Sequence, residues 1–212
     1  MTESETTLIN SKDSSNKPSE KTVTQKFLGE LIGTAALLTF PCYAAIKSNG
    51  NAVLVTIAFA TTIISLSYSF GNISGCHLNP AVSFNNLLRK NMKFSEFIYY
   101  IIAQNLGALL GSFTVGVISR NFSNLCSTTI QQGIYNEKGQ KDFYTYVMAV
   151  FCEVLMTFFF VFVINGATDK RYNDPRLGGI IIGCAICFVS IPGGNWTGCS
   201  MNPARYIIIY II

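Results

Sequence analysis

The chain has 212 residues, half of them hydrophobic and only 12% charged, with a mean hydropathy of +0.37 and a formal net charge of +4. A soluble domain carries about twice that charged fraction, so composition excludes an ordinary water-soluble enzyme or nucleic-acid-binding module. The apolar residues fall in long blocks without alternation, which also excludes the strands of a membrane β-barrel.

In chain order, Met1–Lys26 is rich in Ser, Thr, Lys and Glu and contains Pro18; it reads as a disordered, solvated tail. It lacks the apolar core of a cleavable signal peptide, so the first crossing helix is expected to do the targeting. Phe27–Ile46 is a 20-residue apolar run with one charge, Glu30. About 20 residues cross the hydrocarbon core as a helix. Ala52–Phe70 is a second, uncharged run. Gly71–Leu78 reads as non-helical, and Pro80–Leu88 is too short to cross and ends in Arg89-Lys90. Such a segment between two crossings is expected to be re-entrant. Phe97–Ile118 is the third crossing; the polar linker 119–143 follows and holds the glycosylation sequon Asn121-Phe122-Ser123.

The order then recurs. Tyr146–Ile164 carries one charge, Glu153; Leu177–Ile191 is uncharged; Pro192–Met201 reads as irregular; and Pro203–Ile212 is the second expected half-helix. A partner for 97–118 does not follow, so the expected architecture is all-α, with five crossings, two half-helices and the sixth crossing missing. The domain is expected to be 27–212, its first repeat 27–118 and its second, incomplete repeat 146–212.

An offset of 123 positions relates the halves. It carries Asn79-Pro80-Ala81 onto Asn202-Pro203-Ala204, Gly71–Cys76 onto Gly194–Cys199, Glu30 onto Glu153 and Thr34 onto Thr157. Three crossings separate the starts of the repeats, so the second is inverted relative to the first, as in many transport proteins with a substrate path at the repeat interface. Lys12, Lys17, Lys21, Lys26, Arg89, Lys90, Lys93, Lys170, Arg171 and Arg176 share one side of that topology, against Lys47, Arg120, Lys138 and Lys141 on the other. The positive-inside rule makes the first side, with the N-terminus, cytoplasmic.

Each Asn-Pro-Ala is a helix start. Proline suits the first helical position, and asparagine before it is a preferred cap whose oxygen accepts first-turn N–H groups. Capping fixes the carboxamide and leaves its NH2 as a donor. Each start also carries about half a positive charge from the helix dipole. In an inverted repeat the two starts meet near the midplane. Carbonyls unused at membrane depth are tolerated where they line a wet path. A water held there by both asparagines turns its hydrogens outward, which interrupts a proton wire, while the positive helix ends repel cations.

Arg205 at membrane depth is expected to face protein or water, as a fixed positive donor at an outer constriction or in a salt bridge to Glu153 or Glu30. Glu30 and Glu153 are expected to accept backbone N–H groups of the irregular stretches and hold them in shape, with a proton relay as the alternative. His77 is the single histidine; a structural role supporting the pore loop and a pH-gating role are both open. Gly29/Gly33, Gly107/Gly111 and Gly179/Gly183 form small-x-x-x-small pairs that allow close helix crossing. Seven cysteines, an odd number mostly inside apolar blocks, imply free thiols, and Cys184-x-x-Cys187 has no second ligand pair to make a metal site. No cofactor motif or catalytic Ser/His set is legible, so an enzyme is not expected.

These residues resemble the aquaporin, or major intrinsic protein, family. The resemblance covers 27–205 and rests on Gly-Glu-x-x-Gly-Thr at 29–34, Ile-Ser-Gly-Cys-His-Leu-Asn-Pro-Ala-Val at 73–82, Ala-Gln-x-x-Gly-Ala at 103–108, Asn-Gly-Ala-Thr-Asp at 165–169 and Thr-Gly-Cys-Ser-Met-Asn-Pro-Ala-Arg at 197–205. It implies a passive channel for water or small neutral solutes in the lipid bilayer, tetrameric, with a pore in each subunit. It also implies a selectivity filter of Phe59, Cys199, Arg205 and a residue on the fifth helix, Ser190 in the usual register, with Cys187 or Val189 as alternatives. None of these is the histidine common in strict water channels, which favours additional passage of small uncharged solutes such as ammonia, peroxide, urea or glycerol; against glycerol, Tyr206 follows Arg205 where glycerol facilitators usually have aspartate. The family continues into a sixth helix, so the chain resembles a C-terminally shortened member, either conducting alone or acting as a subunit that modulates full-length relatives.

Overall fold

The computed structural model describes residues 20–209 apart from 124, 126, 170, 172, 173 and 175. The expected tail therefore lies largely outside the described residues. Its last part does not behave as a tail: α1 is Val23–Lys47, begun by a capping box in which Thr22 and Gln25 satisfy each other's backbone N–H. The cap moves the start four residues ahead of the apolar block.

The other elements are α2 (Ala52–Ser74), α3 (Pro80–Leu88), α4 (Phe94–Ser119), a 3-10 turn at Gln132–Ile134, α5 (Phe143–Ala167), α6 (Gly178–Thr197) and α7 (Pro203–Ile209). Five of them, α1, α2, α4, α5 and α6, are long and apolar enough to cross a membrane, and α3 and α7 are half-length. The crossings extend beyond the apolar blocks because polar caps finish them outside the hydrocarbon. Asn51 caps α2, and the Asp142 carboxylate accepts from Thr145 at the start of α5.

Two expected boundaries are corrected. The stretches 71–78 and 192–201 were expected to be irregular, yet α2 runs through Gly71 to Ser74 and α6 runs through Pro192 to Thr197. The stop in each repeat is the second glycine: Gly75 (φ 82°) and Gly198 (φ 78°) are left-handed, and their N–H groups bond back to Gly71 and Gly194. A left-handed glycine is a strong helix terminator, whereas a crossing helix tolerates an internal proline. The irregular segments are therefore only Gly75–Leu78 and Gly198–Met201 before each asparagine.

Glycines set the packing. A β-carbon on Gly107 would lie 2.3 Å from the Leu31 carbonyl oxygen, and one on Gly111 would lie 2.5 Å from that of Ala35, so α4 lies directly on the α1 backbone. Gly183 meets Ile64 and the Ala60 carbonyl in the same way, bringing α6 onto α2. Contacts also fix the sense of each crossing. Lys26 at the start of α1 pairs with Glu96 at the start of α4, and Arg89 after α3 reaches Asn165 near the end of α5. These ends share the N-terminal face. On the opposite face the α4–α5 linker folds back, its Gln131 N–H donating to the Trp196 carbonyl near the end of α6. The two repeats are thus inverted, and the lumen described next lies between them.

Candidate functional site: a lumen between two half-helices

The two segments before the half-helices are copies at the level of single atoms. Gly75, Cys76 and Leu78 have φ of 82°, 52° and 51°; Gly198, Cys199 and Met201 have 78°, 50° and 50°. Repeated left-handed residues are costly for anything but glycine and persist only where their surroundings hold them. A carboxylate does so in each repeat, fully buried at Glu30 and half-buried at Glu153. Glu30, fully buried, accepts from Ser74 Oγ (2.6 Å), the His77 N–H (3.0 Å), the Leu78 N–H (2.7 Å) and Gln104 Nε2 (2.8 Å). Glu153 accepts from Thr197 Oγ1 and from the N–H groups of Ser200 (3.0 Å) and Met201 (3.1 Å). Bonds to a charged acceptor are the stronger class, and Ser74/Thr197, His77/Ser200 and Leu78/Met201 are all 123 positions apart.

Each asparagine caps its own half-helix and bonds the other loop. Asn79 Oδ1 accepts from the Ala81 N–H (2.8 Å), while Nδ2 donates to the Met201 carbonyl (2.8 Å). Asn202 Oδ1 accepts from the Ala204 N–H (3.1 Å), while Nδ2 donates to the Leu78 carbonyl (2.9 Å). The loops touch at the inversion axis, so the carbonyls of Leu78 and Met201 take one proton of each amide. An amide has two. Pro80, Pro203, Ala81 and Ala204 occupy the first turns, with Ala204 fully buried.

Both asparagines line a single cavity of about 670 Å³. Its walls reach Asn49, Ser127 and Gln131 at one end and Asn86, Asn91 and Thr168 at the other, so it extends from one face of the helix layer to the other. Leu37, Ile63, Val82, Ile182 and Ile186 supply apolar wall. Phe59, Ser190, Cys199 and Arg205 line the part beyond the asparagines. The Arg205 guanidinium carbon sits 4.5 Å from the centroid of the Phe59 ring, and Nη1 donates to the Cys199 carbonyl (3.2 Å). Ser190 shares a helix face with Ile182 and Ile186; neither Cys187 nor Val189 is among the lining residues, and the Val189 carbonyl accepts from the Cys199 thiol (3.7 Å). His77 lines the cavity too, with Nδ1 3.1 Å from Ser83 Oγ and its ring 5.1 Å from that of Tyr100.

Several contributing residues received no role from sequence, though Asn165 and Gln104 stand in the motifs quoted above. Asn85 and Asn165 pair through both amides (2.8 and 3.2 Å), and Arg89 donates to the same Asn165 oxygen (2.7 Å), fastening α3 to α5. Beside this clasp the Asp169 carboxyl is held down to about 2 by hydrogen bonds from Arg171. Ser83 and Gln104 join Glu30 to His77. The 123-residue offset could have revealed Ser74 and Thr197 as a matched hydroxyl pair, but Asn85, Asn165 and Ser83 have no counterpart in the repeat that would mark them.

Inverted repeats whose half-helices meet at one lumen define an all-helical membrane protein of the channel type. Comparison with known proteins identifies the group. The family model described as major intrinsic protein matches residues 17–210, and the chain belongs to that family. It is 33% identical over 183 residues to glycerol uptake facilitator protein-like 6 of Lactiplantibacillus plantarum, covering 86% of this chain and 82% of that one. It is 32% identical over 191 residues to aquaporin Z of Rhodopseudomonas palustris, covering 86% and 78%. The X-ray structure of the aquaglyceroporin from Plasmodium falciparum superposes with a TM-score of 0.75 at 22% identity, over 90% of this chain and 81% of that chain, a likeness of fold.

Proposed function

We propose that the chain is a passive channel for water and small uncharged solutes that excludes protons and ions. The observation that carries this reading is the reciprocal bonding of Asn79 and Asn202 at the middle of a lumen that reaches both faces. The second proton of each amide is left to a solute oxygen. A water held by both turns its own hydrogens away along the file, and the two positive half-helix starts oppose a cation at the same point. A neutral solute replaces lost hydration with these donors, whereas an ion leaves several kcal/mol of hydration unrecovered.

Phe59, Ser190, the Cys199 carbonyl and Arg205 form the filter in this reading. The Phe59 ring and the Arg205 cation stacked on it set an apolar group beside a donor, which suits a solute with one apolar and one hydroxylated side, and the small Ser190 leaves room for it. Water with glycerol- or urea-sized solutes is therefore the substrate class. The distribution of Lys and Arg supports a cytoplasmic N-terminus, and the family resemblance supports a homotetramer with a lumen in each copy. The experiment is stopped-flow light scattering of vesicles holding the purified chain, with sucrose, glycerol or urea gradients. Water flux well above that of empty lipid, with glycerol or urea entry and no proton leak, is the expected result. Swelling no faster than empty lipid would overturn conduction by this chain alone and favour a subunit that modulates other channels.

A further inference from the structure

The chain has one histidine, and three hydrogen bonds determine which of its ring nitrogens carries the proton. The order begins at Glu30, whose carboxylate can only accept. Gln104, buried on α4, therefore turns its NH2 toward it, 2.8 Å from Glu30 Oε2; the opposite orientation would set a carbonyl oxygen against a carboxylate oxygen. The orientation leaves the Gln104 Oε1 without a hydrogen-bond partner among the described residues. The same Nε2 donates its other proton to Ser83 Oγ, at 2.8 Å. Ser83 is fully buried, and the two groups its hydroxyl meets are Gln104 Nε2 and, at 3.1 Å, His77 Nδ1. The first is a donor. The hydroxyl proton consequently goes to Nδ1, which must be the unprotonated ring nitrogen.

We infer that His77 is held as the neutral Nε2–H tautomer and presents a fixed hydrogen-bond donor to acceptor oxygens in the lumen, on the N-terminal side of Asn79 and Asn202. A β-carbon on Gly75 would lie 3.3 Å from Nε2, and both Gly75 and His77 line the cavity, so this edge of the ring is on the lumen side. The His77 N–H is taken by Glu30, and Tyr100 lies against the ring, so the imidazole is positioned from its backbone, its Nδ1 edge and its face together. The donor set of the lumen is then asymmetric: Arg205 on one side of the asparagines, a neutral imidazole N–H on the other. Ser83 and Gln104 are positioning residues acting through His77. The tautomer stands on these bonds alone; only its use by a permeating solute rests on the channel reading.

With a single histidine, nitrogen NMR of the full chain labelled with 15N-histidine in lipid vesicles reads the site without assignment. The expected spectrum has a pyridine-type Nδ1, a pyrrole-type Nε2 and a magnetisation-transfer peak between the Nε2 proton and water. A pyrrole-type Nδ1 in the unsubstituted protein, or an Nε2 proton with no transfer to water, would overturn the inference. Ser83→Ala is expected to give both tautomers and Ser83→Thr to keep the original one; a Ser83→Ala spectrum identical to the original would overturn the relay. The unsubstituted spectrum decides the tautomer even if Ser83→Ala does not fold. Vesicles that show the expected spectrum yet fail to swell would sink the channel reading and leave the tautomer standing.

Discussion

The guanidinium of Arg205 lies over the ring of Phe59, 4.5 Å from its centroid, although the two residues come from opposite repeats. The contact joins α2 to the first turn of α7 and fixes a cation at the lumen wall, where a flexible side chain could otherwise swing aside. A desolvated cation–π contact contributes about 1–2 kcal/mol, enough to select one rotamer. The hydrogen bond from Nη1 to the Cys199 carbonyl adds a second constraint.

Arg205→Val is therefore predicted to admit protons and larger polyols. The expected rise in either leak is about tenfold or more, the factor given by ~1.4 kcal/mol of barrier. Vesicles loaded with a pH-sensitive dye measure the first and light scattering the second. An unchanged permeability profile would remove Arg205 from the filter.

The two loop-holding glutamates, Glu30 buried and Glu153 half-buried, invite a paired comparison. Glu30 holds four donors and Glu153 three, and a glutamine at either site turns one acceptor into a donor facing another donor. The prediction for Glu30→Gln is a loss of roughly 3 kcal/mol, with a smaller loss for Glu153→Gln. Unfolding midpoints in one detergent provide the check; equal, negligible shifts would mean the loops keep their left-handed residues without the carboxylates.

The helix crossings offer a sharper contrast. Gly107→Ala places a methyl against the Leu31 carbonyl and Thr34, and is predicted to cost about 1–3 kcal/mol by pushing α4 off α1. Gly166→Ala meets nothing within 4 Å and is predicted to be neutral or to gain up to about 1 kcal/mol from helix propensity. The thermal midpoint of Gly107→Ala should fall while that of Gly166→Ala holds or rises, and a shift of Gly166→Ala below Gly107→Ala would contradict the packing.

Mercuric ion is predicted to block flux through Cys199, which lines the cavity and whose thiol is bonded to the Val189 carbonyl. The residue is only 3% exposed, so block should develop slowly. Cys199→Ser is expected to abolish most of it. Persistent block in that variant would point to Cys76, the other cysteine on the cavity wall.

The crossing helices, the half-helices and the inverted repeat were legible in the linear chain because each leaves a local mark. Apolar runs of membrane length, Asn-Pro at a helix start and a constant offset of 123 residues need no knowledge of neighbours. Helix ends were less legible. Gly71 and Pro192 looked like stops, but α2 and α6 continue until a glycine turns left-handed and returns its N–H, as Gly75 and Gly198 do.

Relations across the repeats could be read only from the folded chain. Asn79 bonding to Met201, Asn202 to Leu78, Arg205 over Phe59 and the run from Glu30 through Gln104 and Ser83 to His77 join residues distant in sequence. No local propensity encodes such pairs. They exist because glycines let the helices approach to backbone contact, and that approach brings two strained loops face to face, each using the other's asparagine to satisfy a carbonyl.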